Sequence, residues 1–208
     1  MMPKQNKWFL GIILNLVFLM AISRVSAQEI SLLSEPELMK KPVYSNLMQA
    51  FREYDRVYRM SLKGSGGYYG KVTAVHPDID SLRNLQYFYV VNEGLKDLPN
   101  SFGALRFMQH LYLSGNQFEA IPDTLYSLRH LKRLDLQKNQ LKAVSDKIGQ
   151  LVELEFLYLN DNPDLDYLPL EPLAKLKKLR YLNVKGTKIS REQMAALQAR
   201  LPMAQIEY

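Results

Sequence analysis

His76, His110 and His130 are the only histidines in a chain without cysteine, so zinc ligation or an imidazole base would have to be built around these three rings. None of them falls in an H-E-x-x-H or other paired-ligand spacing, and no metal and no cofactor is expected. The one conceivable hydrolytic cluster is His110 with Ser114 and Asp135. Four residues apart on a strand, His110 and Ser114 would stand about 13 Å from each other, too far to share a proton directly. No G-x-S-x-G elbow accompanies them. The segment Gly64-Ser65-Gly66-Gly67-Tyr68-Tyr69-Gly70-Lys71-Val72 is glycine-rich enough to approach a phosphate. A phosphate loop, however, needs glycine where Ser65 stands and Ser or Thr where Val72 stands, so an insertion loop is the better reading. Asp161 and Asp164 flank Asn162 without the glycine and terminal glutamate of a calcium loop and read as turn formers. No catalytic residue is assigned, and the chain is expected not to be an enzyme.

The chemistry that remains is recognition, and it depends on how the elements are laid out. Residues 1–27 stand apart from the rest. Lys4 and Lys7 precede an apolar run from Trp8 to Ile22, followed by Val25-Ser26-Ala27, the three-part layout of a signal peptide with cleavage after Ala27. An uncleaved anchor is the alternative, but 15 residues containing Asn15 fall short of the ~20 that a spanning helix needs. The expectation is export, to the periplasm or the medium, with no stable membrane span afterwards. Without cysteine there is neither a lipidated cysteine nor a disulfide, and no Asn-x-Ser/Thr acceptor is present, which favours a bacterial protein over an animal one. Losing Lys4, Lys7 and Arg24, and no acid, takes the formal charge from +6 to +3, so nucleic acid is not an expected partner.

The remaining chain is periodic. Leu82, Leu105, Leu128 and Leu151 are each 23 residues apart, and Leu176 follows after 25. Within the units the apolar positions recur as Leu105, Met108, Leu111, Leu113, Asn116, Phe118, then as Leu128, Leu131, Leu134, Leu136, Asn139, Leu141. Leu151, Leu154, Leu157, Leu159, Asn162 and Leu165 repeat the pattern with one inserted residue. This resembles the leucine-rich repeat family and its L-x-x-L-x-L-x-x-N-x-L signature. Weaker units run through Tyr54, Val57, Met60 and Leu62 before the clear repeats and through Leu176, Leu179, Leu182, Val184 and Ile189 after them. About six units therefore occupy 54–189.

The resemblance implies an α/β solenoid, a horseshoe with a parallel concave sheet and short convex helical turns. It also implies an asparagine ladder through Asn116, Asn139 and Asn162, with Glu93, Ser65 and Thr187 at the same place in other units, and protein partners. Solenoid ends need covers. Residues 28–53 are read as an N-terminal helical cap, with a capping box at Ser34-Glu35-Pro36-Glu37 and an apolar stripe of Tyr44, Leu47, Met48 and Phe51. Residues 190–208 are read as a cap helix opened by Ser190 and Gln193, followed by a last strand over Ala204–Tyr208.

If Leu111 and Leu113 point inward, their neighbours point outward on the concave face. One column then reads Arg59, Tyr87, His110, Arg133, Phe156, Tyr181, and the next Ser61, Tyr89, Tyr112, Asp135, Tyr158, Asn183. A more polar third column holds Lys63, Val91, Ser114, Gln137, Asn160 and Lys185. Ten of these, Tyr87, Tyr89, His110, Tyr112, Arg133, Asp135, Phe156, Tyr158, Tyr181 and Asn183, form a candidate ligand-binding groove for a protein or peptide, with a glycan as a further class. Two plainer readings stand beside it. Tyrosine forms strands well and stacks between strands about 4.8 Å apart, and Arg133 and Asp135 would screen each other as solvated charges. In the same spirit, the solenoid would be a structural or envelope-associated spacer, for which a tight homodimer would speak.

Overall fold

The computed structural model describes residues 31–64 and 71–208, so the expected leader and most of the glycine segment lie outside the described residues. Eight parallel strands form one open sheet in sequence order. They are β1 (Val43–Tyr44), β2 (Arg59–Ser61), β3 (Tyr87–Tyr89), β4 (His110–Tyr112), β5 (Arg133–Asp135), β6 (Phe156–Tyr158), β7 (Tyr181–Asn183) and β8 (Gln205–Glu207). Register follows the repeat: His110 pairs with Arg133, Leu111 with Leu134 and Tyr112 with Asp135, and equivalent residues likewise face each other across the neighbouring strand pairs. Equivalent residues therefore stand in straight columns. A slip of one residue would turn every buried leucine outward, which makes the register strongly determined.

Phe88, Leu111, Leu134, Leu157 and Leu182, at the middle of successive strands, are fully buried, as are Leu85, Met108, Leu131 and Leu154 just before them. Each such side chain contributes roughly 1.5–3 kcal/mol on burial, so the inner column is the main stabilising element. On the convex side the chain closes each unit with a 3-10 turn, over Pro77–Ser81, Asn100–Ala104, Asp123–Ser127 and Asp146–Gln150, and with the helix α3 (Leu170–Ala174) in the unit after. Phe102 and Leu105, Leu125 and Leu128, and Ile148 and Leu151 seal the core from these turns.

Between strand and convex turn the asparagines act as the resemblance implies. The Asn139 side chain accepts from Phe118 N (3.1 Å) and donates to Leu113 O and Leu136 O (3.0 Å each). Asn116 and Asn162 repeat this pattern one unit to either side. Glu93, standing where asparagine would, takes a different part. Its two carboxylate oxygens accept from Gly64 N and Val72 N, 2.8 Å each, and so pin both ends of the glycine segment.

The termini differ from the sequence reading in one respect. Residues expected to form one helical cap divide into α1 (Glu35–Met39), strand β1 and α2 (Leu47–Arg52). Tyr44, placed by its spacing on a helical stripe, lies in β1, buried, with its hydroxyl donating to Glu53 at 2.8 Å. Met48 of the same stripe is exposed, while Leu47 and Phe51 pack on the core. Tyr44 fits the helical period by coincidence, because Asn46 is extended and caps the helix, its side chain accepting from Gln49 N, so that the helix begins only at Leu47. At the other end α4 (Arg191–Arg200) opens with Ser190 accepting from Gln193 N. It buries Met194 and Leu197, and β8 completes the sheet.

Candidate functional site

All ten candidate residues lie on β3–β7, and the straight register gathers them on one face. The rings meet across strands. Tyr112 lies with its centroid 5.1 Å from Tyr87 and 5.9 Å from Tyr89, Tyr87 lies 6.0 Å from His110, and Tyr158 lies 5.2 Å from Tyr181. Tyr87, Tyr89, Tyr112, Phe156, Tyr158 and Tyr181 are all half-buried.

Arg133 packs on the rings of the next strand, β6. Its guanidinium carbon sits 4.1 Å from the Phe156 centroid and 5.6 Å from that of Tyr158, and Nη1 donates to the Tyr158 hydroxyl at 2.8 Å. Such stacking fixes a planar cation with its remaining donors directed outward. Arg133 and Asp135 do not form an ion pair with each other. Asp135 instead accepts from Gln137 N and Gln137 Nε2, 3.1 Å each, and Gln137 Oε1 accepts from Asn160 at 3.2 Å. Asn183 donates to the Tyr181 hydroxyl.

His110 and Asp135 stand in the columns read as outward, yet both are buried, at 4% and 7% exposure. Alternation sets the side of the sheet, not access to water: the Tyr87 ring packs beside His110, and Gln137 is bonded to Asp135. Burial, aided by the positive charges of Arg133 and Lys132 and opposed by Glu35, pulls the His110 pKa down from 6.5 to about 4. Burial likewise pushes Tyr112 up to about 12, with Tyr87 adding to the effect, and raises Asp135 against the hydrogen bonds from Gln137. Neither ring nitrogen of His110 meets a hydrogen-bond partner among the described residues, so His110, Ser114 and Asp135 make no proton relay. Among the described residues no group of three His, Cys, Asp or Glu side chains is placed to hold a metal ion.

Two residues that sequence reasoning passed over stand at the edge of this face. Gln86 and Gln109, each just before a strand, are fully buried and bond the main chain of Leu33. The N-terminal segment thus reaches the second and third units. The available signal was slight: two uncharged amides at a position that carries Lys132, Glu155 and Arg180 in the next units.

The family profile described as "Leucine-rich repeat region" matches residues 45–205. No curated protein sequence matches the chain. Among solved structures, an internalin of Listeria monocytogenes aligns at 18% identity with a TM-score of 0.56, over 72% of this chain and 40% of its own. A leucine-rich repeat protein of Leptospira interrogans aligns at 20% identity with a TM-score of 0.51, over 79% of this chain and 57% of its own. The chain thus spans well under two thirds of either relative, and at these identities the likeness concerns the fold.

Proposed function

Since the chain belongs to the leucine-rich repeat family, we propose that its concave sheet is the binding face of an exported bacterial recognition module, non-catalytic, for a protein or peptide. The observation that carries this reading is the run of half-buried rings on a sheet whose register is fixed by its core, with Arg133 stacked on Phe156. Tyrosine supplies wide, rigid contact area with a polar tip at low entropic cost, and a stacked arginine supplies fixed donors, the combination that dominates binding hot spots. Export rests on the leader-like residues 1–27, and among the described residues no helix is long and apolar enough to cross a membrane.

The ring-to-ring contacts also favour a second reading, because stacking between strands is stabilising in its own right. In that case the face is structural and the solenoid a spacer. Capture from envelope and extracellular fractions separates the two. The protein and a Tyr89→Ala, Tyr112→Ala, Tyr158→Ala variant, both confirmed folded by circular dichroism, are used as baits. A partner held by the first and lost by the second supports the binding face. Identical captures would remove it, and a tight homodimer with no other partner would favour the spacer.

A further inference from the structure

Gln86 and Gln109 occupy the same place in consecutive repeats, and both are shut off from water, at 0% and 1% exposure. Their counterparts in the following units, Lys132, Glu155 and Arg180, are charged and at least partly exposed. The two amides are joined, Gln109 Nε2 donating to Gln86 Oε1 at 2.8 Å. Together they hold one residue of extended chain: Gln86 Oε1 accepts from Leu33 N at 3.0 Å, and Gln109 Nε2 donates to Leu33 O at 2.8 Å. Both bonds go to the main chain, so this is recognition of a peptide backbone that any residue except proline satisfies.

Further along the same segment Leu38 is fully buried, yet it lies outside the main apolar core cluster. Arg59 Nη1 donates to the carbonyls of Met39 and Lys41 at 2.9 and 3.2 Å. Around these anchors the segment is mostly open to solvent, at Leu32, Ser34, Glu35, Pro36, Glu37 and Met39. A strip attached at a few points opens at lower cost than the sheet beneath it.

We propose that Gln86 and Gln109 form a main-chain clamp for a peptide that enters a short helix just after the clamped residue and carries an apolar residue on that helix five positions on, and that Leu33 and Leu38 of this chain fill it until a partner peptide displaces them. The proposal deepens the reading of the concave face as a peptide-binding surface and rests on it. Because the internal segment is tethered, its effective concentration is on the order of millimolar, and a competing peptide binds weakly until the segment is released.

The test uses the full chain and a fluorescent synthetic peptide of residues 31–42. A Leu38→Asp variant, which expels the segment, is expected to bind this peptide at least tenfold more tightly than the unaltered protein. Adding Gln86→Leu and Gln109→Leu to that variant is expected to abolish the gain. No gain in folded Leu38→Asp protein, or a gain that survives loss of both glutamines, overturns the clamp. Hydrogen exchange on the unaltered protein provides a readout that needs no variant: the Leu33 amide is expected to exchange at least a hundredfold faster than that of Leu111. Equal protection of the two would make the segment a fixed part of the fold and end the proposal. The tyrosine variant keeps the two ideas apart, since peptide capture that depends on the glutamines but not on Tyr112 or Tyr158 would retain the clamp and discard the aromatic face.

Discussion

A single buried asparagine does the work of several backbone partners in this solenoid. Asn139, 5% exposed, satisfies the Phe118 amide and carbonyls of two successive units at once. Asn139→Ala leaves those groups buried without partners, and the expected loss is about 2–4 kcal/mol, read from urea unfolding. His110 is a buried residue of the opposite kind, with no hydrogen-bond partner among the described residues. Its pKa is about 4 in the folded protein against 6.5 when free. Between those values the unfolded chain takes up a proton that the folded chain refuses, so stability is full above pH 6.5 and falls as pH drops toward 4. The groups acting on the ring are Glu35 from the N-terminal segment and Arg133 and Lys132 from the sheet. The expected decline is at most about 3 kcal/mol, and His110→Gln is expected to remove that part of the slope in unfolding midpoints measured at pH 7.5, 6 and 5.

The element that repeats is strand, left-handed turn and convex closure, and the turn is where residue choice departs from backbone need. Gly115 and Gly186 hold φ of 66° and 70°, while Asn92, Lys138 and Asp161 adopt 55–57° at the same place in three other units. A Cβ at residue 115 would stand 3.2 Å from the Asn92 Cα and closer still to its side chain. Gly115→Ala is therefore expected to cost about 1–2 kcal/mol, whereas Lys138→Gly relieves the same strain and is expected to stabilise by up to about 1 kcal/mol. Opposite shifts in thermal midpoint would bear this out, and shifts of one sign would count against it.

Elements of this kind were legible in the sequence because each leucine and asparagine meets its own equivalent 23 residues on, so that a contact in space becomes a period in sequence. The columns of the concave face followed from the same period. What lay outside it was lost. Leu33 meets residues 53 and 76 positions away, with no second copy to reveal the pairing, and Tyr44 fitted a helical stripe while belonging to a strand. Burial of His110 and Asp135 was equally unreadable, since alternation gives the direction of a side chain and not the bulk of its neighbours.

At the scale of the whole molecule each strand pairs only with its neighbours in sequence from β1 to β8, and the N-terminal segment's bonds to Gln86 and Gln109 are a contact that skips a unit. Stability is then close to a sum of unit and interface contributions, and damage at one end should not be felt equally everywhere. Leu197, fully buried in α4, and Leu134, fully buried in β5, are chemically the same perturbation at the edge and at the centre. Either one changed to alanine removes about 2–5 kcal/mol of packing. At residue 197 the loss falls on an end with a single neighbour, so α4, β8 and β7 are expected to lose hydrogen-exchange protection while β4 and β5 keep theirs. At residue 134 both flanking interfaces weaken, and protection is expected to fall across β4–β6 together with the global unfolding midpoint. Uniform loss of protection in the Leu197→Ala protein would mean that the solenoid unfolds as one cooperative body and that its units are not separable in energy.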